Sequence, residues 1–235
     1  IVTPTFNPSP FLNDVARCIE AQSLQRWEWL IINDQSTDEA ALKLLDEYRR
    51  RDPRISVIDM PQNGGPSAAR NEGYRRARAE FVFQMDDDDL LEPTVLEKLL
   101  WFLTSYPEYA IANGWSIAFE AEEYLWPVGF ERSADLFKEN VAVSRAMVRK
   151  AAHAAAGGYD ESIRGGMEDW DFWLRMAAAG QYGATVTEYF DWYRRRSDHS
   201  DRWKNWDRSG SQETFRARLR QKFAQLERED RKSVV

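Results

Sequence analysis

The sequence predicts an α/β fold, a mostly parallel central sheet flanked by helices, and three observations carry that prediction. Four short apolar runs rich in β-formers are separated by three helix-patterned stretches within the first 85 residues. The runs lead into polar or glycine-rich clusters: Thr5-Phe6-Asn7, Asn33-Asp34-Gln35-Ser36-Thr37-Asp38, Gln62-Asn63-Gly64-Gly65 and Asp86-Asp87-Asp88-Asp89. Right-handed crossovers bring the C-terminal ends of parallel strands to one edge, where ligands of such sheets bind. Four polar loop tips gathered there make a nucleotide-sized site.

In chain order, residues 1–5, 28–33, 54–59 and 81–85 read as strands. Helices are expected over 11–23, 39–50 and 67–78, the second capped by Ser36 or Thr37. Cys18 falls in step with Phe11, Val15 and Ile19, so it belongs to the core face of the first helix. Residues 93–106 form a helix with Leu96, Leu99, Leu100 and Leu103 on one face. Strands over 109–119 and 124–128 pair antiparallel, and a short strand at 141–143 leads into a helix over 144–156. A further helix starts at Met167 and runs to Ala179, with Glu168, Asp169 and Asp171 in its first turn, where the helix dipole favours negative charge. Residues 182–190 make a last strand, 192–206 an Arg/Trp-rich loop, and 211–231 a helix with Phe215, Leu219, Phe223 and Leu226 in register.

The acidic run at 86–89 carries the most chemistry. In an extended segment Asp86 and Asp88 face one way, and Asp87 and Asp89 the other. Charges this close repel, and protonation, solvent or a cation relieves them. Mg²⁺ commonly takes one or two carboxylates and completes its shell with substrate phosphates and water. On its own the run fits either a metal–diphosphate site or a solvated turn before the next helix.

Composition narrows the classes. The chain has 235 residues, 43% hydrophobic and 13% aromatic, enough for one α/β domain with a core. One cysteine excludes an intrachain disulfide and a multi-cysteine zinc site, and two histidines disfavour a His-rich metal site. The net charge of −7 argues against nucleic acid as a partner. From Arg194 onward 13 Lys and Arg stand against 7 Asp and Glu, a basic tail on an acidic body. That tail is either a solvated surface or a contact for an anionic partner, and its helix is expected to dock on the domain, pair with a second subunit, lie peripherally on an anionic membrane or lead into a further domain. The expected location is cytoplasmic, or peripheral to the inner face of a membrane. No G-x-G-x-x-G follows the first strand, which disfavours a dehydrogenase. Both ends look arbitrary, as in a domain cut from a longer chain.

Taken together, several segments resemble the family 2 glycosyltransferases, inverting enzymes of the GT-A fold that use nucleotide-sugar donors. They are Pro4-Thr5-Phe6-Asn7, Asn33-Asp34-Gln35-Ser36-Thr37-Asp38, the stretch from Asn63-Gly64-Gly65-Pro66 through Ala69-Arg70-Asn71-Glu72-Gly73, Met85-Asp86-Asp87-Asp88-Asp89, and Gly157-Gly158-Tyr159-Asp160-Glu161 followed by Glu168-Asp169-Trp170-Asp171. The resemblance implies a domain over 1–196, with a donor half at 1–92 and an acceptor half at 93–196. Residues 197–235 then form a separate loop and helix. It implies that Thr5, Asn7 and Asp34 meet the nucleotide, with Asp34 accepting from a base N–H, most naturally uracil. Gly65 and Arg70 would lie along the ribose and diphosphate, Asp86 would be the ribose-side acid, and Asp88 would ligate Mn²⁺ or Mg²⁺. Asp169 would be the catalytic base, with Glu168 and Asp171 as neighbours, and Asp87 of the acidic run is a further candidate site residue. Trp170 and Trp173 flank Asp169 and offer a face to an acceptor sugar. The acceptor would be a carbohydrate or a lipid-linked glycan. The family often has two acids at Asn33-Asp34 and Gly at Gln35, and often a His just after a Tyr-Arg. Here His199 is displaced from Tyr193-Arg194, so Arg194, Arg196 and His199 all stand as candidates for the diphosphate. A nucleotidyltransferase and a non-catalytic nucleotide-sugar-binding domain are the rival readings.

Overall fold

The structure is a computed structural model that describes residues 1–130, 136, 137, 140, 142, 144–164, 166–197 and 211–227. Strands β1 (Val2–Thr5), β2 (Trp29–Asn33) and β3 (Ile55–Asp59) pair in parallel in the order β1-β2-β3. Helices α1 (Leu12–Glu20), α2 (Glu39–Arg51) and α3 (Pro66–Arg76) are interleaved with them. β4 (Phe81–Phe83) joins through a parallel bridge from Gln84 to Val2, and Met85 N–H donates to the Val2 carbonyl at 3.0 Å.

Beyond β4 come β5 (Leu90–Leu91), α4 (Val95–Ser105), β6 (Ile111–Glu120), β7 (Tyr124–Trp126), β8 (Met147–Arg149), α5 (Lys150–Ala155), α6 (Glu168–Ala178), β9 (Gly183–Arg195) and α7 (Ser211–Lys222). Their sheet runs β4-β8-β6-β9-β5, with β7 on β6. Only the β6–β9 pairing is parallel among the named strands of this half. The sheet is therefore parallel on the β3 side and mixed beyond β4.

Two apolar layers sandwich the sheet. Leu12, Val15 and Ile19 of α1, Leu45 and Tyr48 of α2, and Leu96, Leu99 and Leu103 of α4 pack on one face. Ala69 and Tyr74 of α3, Ala152 of α5, and Phe172, Trp173 and Met176 of α6 pack on the other. β2 is buried at every position, as a central parallel strand covered on both faces must be. Cys18 packs partly buried against the first layer.

A third cluster joins Trp170 and Leu174 of α6 to Phe215 and Leu219 of α7. Phe223 and Leu226 continue this contact, so the register expected for the last helix is the one that docks. Lys222 Nζ fixes the helix through ion pairs with Asp171 (2.5 Å) and Asp160 (2.6 Å).

Several expectations need correction. Residues 147–149 form a strand where a helix was expected, because Met147 and Val148 are buried between β4 and β6 and pairing overrides the alanine-rich context. β9 continues to Arg195 through the stretch expected as a loop, since Trp192, Tyr193, Arg194 and Arg195 pair along β6. Asp38, rather than Ser36 or Thr37, caps α2: its side chain accepts from Ala41 N–H at 2.9 Å. Residues 141 and 143 of the expected short strand lie outside the described residues, as does the end of the expected last helix beyond 227.

His153 sits in the second layer, stacked on Tyr74 with ring centroids 3.7 Å apart. Its Nε2 lies 3.2 Å from Asn71 Oδ1. Burial pushes its pKa down to about 4. The unfolded chain takes up this proton near pH 6.5 and the folded chain only near 4. Stability is therefore complete above about pH 6.5 and falls as the pH drops towards 4, by on the order of 2 kcal/mol. Raised carboxyls elsewhere act in the opposite direction, so the comparison is wild type against His153→Gln in urea unfolding at pH 7 and 4.5. The stability difference between the two proteins is expected to change across that interval; a constant difference contradicts a buried neutral imidazole.

Candidate active site

A cleft of about 1160 Å³ opens at the C-terminal edge of β1, β2 and β4. Thr5, Asn7, Asp34, Gly65, Arg70, Asp86, Asp87, Asp88, Glu168, Asp169, Arg194 and Arg196 all line it. Asp171 does not, and His199 lies outside the described residues.

The donor-side loops hold one another. Asn7 Oδ1 accepts from Thr37 N–H (2.7 Å) and Asp38 N–H (3.0 Å), and Asn7 N–H donates to Ser36 Oγ (2.8 Å), so this side chain ties the β1 loop to the β2 loop. Asp34 is buried, and its two oxygens accept from Gly64 and Gly65 N–H, each at 2.7 Å. Gly65 holds φ +83° and gives way to Pro66 at the first turn of α3. Gly64 is sterically required as well, since a Cβ there would stand 2.6 Å from Ala68 Cβ.

The acidic run does not stay extended. The chain bends at Asp87 and Asp88, so Asp86, Asp87 and Asp88 all line the cleft while Asp89 alone is driven inward. This corrects the expected alternation, and the reason is an arginine. Arg145, just before β8, donates from Nη1 to Asp89 and from Nε to Asp191 of β9 at 2.7 Å. Its side chain is 1% exposed, as is that of Asp89, and Asp191 is 3% exposed. Arg194 N–H donates to Asp89 Oδ1 at 2.8 Å, and Arg194 Nε to the Asp88 carbonyl at 2.6 Å. The Arg194 guanidinium also pairs with Glu120 and Asp14, so it supports the acidic loop from below. Arg196 Nη2 lies 2.7 Å from Asp88 Oδ2.

Electrostatics separate the four carboxyls. Burial alone would raise Asp86, but Arg70, Arg145 and the Ser144 hydroxyl outweigh it and hold Asp86 below the usual carboxylate range. Asp87 is pushed up to about 7 by burial and then by the Asp88 charge, despite the hydrogen bond it accepts from Thr5 Oγ1. Asp88 is raised by burial against the opposing pull of Arg196.

Among the described residues no group of three or more His, Cys, Asp or Glu is placed to hold a metal ion. The donor set still fits a hard cation that takes few protein ligands. Asp87 and Asp88 are crowded carboxylates facing a cleft, which a divalent charge would relieve, and phosphate oxygens can complete such a shell.

Across the cleft, Met167 in the left-handed region (φ 64°) turns the chain into α6. Arg70 spans the two sides, donating from Nη1 to Glu168 Oε1 (2.7 Å) and from Nη2 to Asp86 Oδ1 (2.8 Å). Asp169 accepts from Trp170 N–H at 2.8 Å and is hydrogen-bonded by the Asn140 side chain. The helix N-terminus does not keep it strongly acidic: burial and then the Glu168 charge push it up to about 7. Trp170 and Trp173 are each 1% exposed and offer no face to a ligand, and Asp171 is turned away into its ion pair with Lys222.

A family model of glycosyl transferase family 2 matches residues 1–143, more than half of the chain. The chain belongs to this family. O-antigen biosynthesis protein RfbC of Myxococcus xanthus is 27% identical over 80% of this chain and 15% of its own length. S. aureus TarS 1-349 in complex with UDP-GlcNAc superposes with a TM-score of 0.72 at 17% identity, covering 84% of this chain and 58% of that one. Mannosyltransferase PcManGT of Pyrobaculum calidifontis, in complex with GDP-Man and Mn²⁺, gives 0.65 at 16% identity, covering 86% and 58%. The fold of the family 2 domain is thus the GT-A fold expected from the sequence. The chain spans less than two thirds of the length of each of these three proteins. No described helix is long and apolar enough to cross a membrane.

Proposed function

We propose that this chain is a metal-dependent, inverting glycosyltransferase that moves a sugar from a nucleotide-sugar donor, a UDP-sugar, to a hydroxyl of a carbohydrate or lipid-linked acceptor. The observation that carries this reading is convergence. The acidic strand end, the segment that runs from Gly65 to Arg70, and Asp169 come from three separate stretches of the sequence and line one cleft. Residues 1–92 would bind the donor and 93–196 the acceptor. The donors named in the TarS and PcManGT structures, and the Mn²⁺ of the latter, support a nucleotide-sugar with a divalent cation.

Inverting transfer is one displacement. The bond from the anomeric carbon to the diphosphate oxygen breaks as the acceptor oxygen attacks from the opposite face, and the acceptor proton must leave. Asp169, raised to about 7, suits the receiving role near neutral pH. Arg70, held between Asp86 and Glu168, fixes the donor side relative to the base. Asp88, with Asp87 beside it, would hold Mn²⁺ or Mg²⁺, which when bound neutralises charge on the departing diphosphate. A peripheral membrane contact through the basic end of the chain would bring a lipid-linked acceptor within reach.

Product identity tests the reading. Release of a nucleoside diphosphate together with a glycoside of inverted anomeric configuration is expected; release of pyrophosphate would assign a nucleotidyltransferase instead. Asp88→Asn is expected to weaken Mn²⁺-dependent UDP-sugar binding at least tenfold in calorimetry. Equal donor affinity with and without metal in the wild type would contradict the ligand role.

A further inference from the structure

We propose that Tyr124 and Trp126 of β7, with Tyr193 of β9, form the platform on which the acceptor's sugar ring stacks. This rests on the glycosyltransferase reading and adds to it the place and chemistry of acceptor recognition. The sequence suggested Trp170 and Trp173 for that role, and the fold buries both. The aromatic side chains that do line the cleft beyond the acidic loop are Tyr124, Trp126 and Tyr193.

Strand register explains why these rings meet. Tyr124 and Tyr193 both pair with Ala118 of β6, so the three residues form one row across β7, β6 and β9. Trp126 and Asp191 both pair with Ser116, two residues back and on the same face. Small residues in the middle strand let the flanking rings lean together over it. Trp126 and Tyr193 approach to 6.4 Å between centroids at 43°, while Tyr124 stays 40% exposed. The Arg145 guanidinium lies 4.9 Å from the Tyr193 ring centroid and that of Arg195 5.2 Å, which holds the ring in place.

The hairpin tip is braced as well. Arg195, buried, pairs with Glu122 at 3.1 Å, and Ala121 N–H donates to the Arg195 carbonyl at 3.0 Å. The platform is thus fixed in advance, which lowers the ordering cost of binding. Flat rings with polar tips match a pyranose, whose C–H face is apolar and whose rim carries hydroxyls. Continuity with the cleft that holds Asp169 identifies the occupant as the acceptor saccharide.

The test is saturation-transfer NMR on the full chain with UDP and Mg²⁺, using methyl α- and β-hexopyranosides and cellobiose and chitobiose as probes. UDP-sugar affinity is measured in parallel. At least one saccharide is expected to receive saturation at its ring C–H protons. Trp126→Ala should weaken that saccharide at least tenfold with UDP-sugar affinity within twofold of wild type, and Trp126→Tyr should recover most of it. Trp101→Ala, which removes an exposed aromatic on α4 outside the cleft, should leave the saccharide signal unchanged. Saccharide contact that persists in Trp126→Ala, or no contact with any probe while UDP-sugar binds, overturns the platform alone. Failure of the wild type to bind any UDP-sugar overturns the donor reading and the platform with it.

Discussion

Asp169→Asn is expected to lower sugar transfer by about 10²–10⁴-fold, the usual contribution of a positioned general base, while nucleotide-sugar affinity stays within about threefold of wild type. The asparagine keeps the shape and can still accept from Trp170 N–H, so the first turn of α6 should persist. What it lacks is a site for the acceptor proton. The pH dependence follows with a definite sign. Burial and Glu168 push the Asp169 carboxyl up to about 7, and only the ionised form is a base. The wild-type rate should therefore rise as pH increases through about 7 and level off above it, and the residual rate of the variant should lack that rise. Initial rates from pH 5.5 to 8.5 at saturating donor check both points. A variant within tenfold of wild type, or one keeping the same acid limb, would remove Asp169 from the role.

Arg145→Met is expected to destabilise the fold by about 3–5 kcal/mol at pH 7, the range for removing one partner of a buried ion pair. Asp89 and Asp191 would remain inside without their cation. Both carboxyls are already raised by burial, against the opposing charge of Arg145. In the variant they rise further, so the folded state binds protons that the unfolded state releases. Linkage then makes the loss shrink as pH falls from 7 towards 5. Urea unfolding at the two pH values reads this directly. Asp89→Asn with Asp191→Asn in the Arg145→Met background should recover part of the loss by removing the buried charges. A loss under 1 kcal/mol, or one that grows towards pH 5, contradicts a buried Arg145 cation that holds Asp89 and Asp191 ionised.

The contrast between these two residues shows what the sequence could carry. Asp169 stands at the start of a patterned helix, in a segment resembling a known one, and its placement on the cleft follows from the helix that presents it. Asp171 shares the acidic first turn with Asp169, yet two residues along a helix is about 200° of rotation, and the second carboxylate points to Lys222 instead. Thr5, Asp34 and the Gly64-Gly65 turn were legible because crossover handedness gathers strand ends at one edge. Arg145 was not. Its partners are 56 and 46 residues away, and nothing local distinguishes it from a surface arginine. The same holds for the aromatic platform, which depends on the register of three strands, and for β8, where pairing overrides helix propensity. Short-range pattern names the elements and the loop tips; long-range pairing decides which charges are buried and which aromatics face the cleft.

The central claim is that the cleft binds a nucleotide-sugar together with a divalent cation. It is tested most directly by thermal unfolding of the wild-type chain against UDP-, GDP-, dTDP- and CMP-sugars, each with and without Mn²⁺. A ligand specific for the folded state at 100 times its dissociation constant adds about 2.7 kcal/mol, a readily measured shift. Stabilisation by UDP-sugars that requires Mn²⁺ is the predicted result. No stabilisation by any donor, or the same stabilisation without the metal, would contradict it.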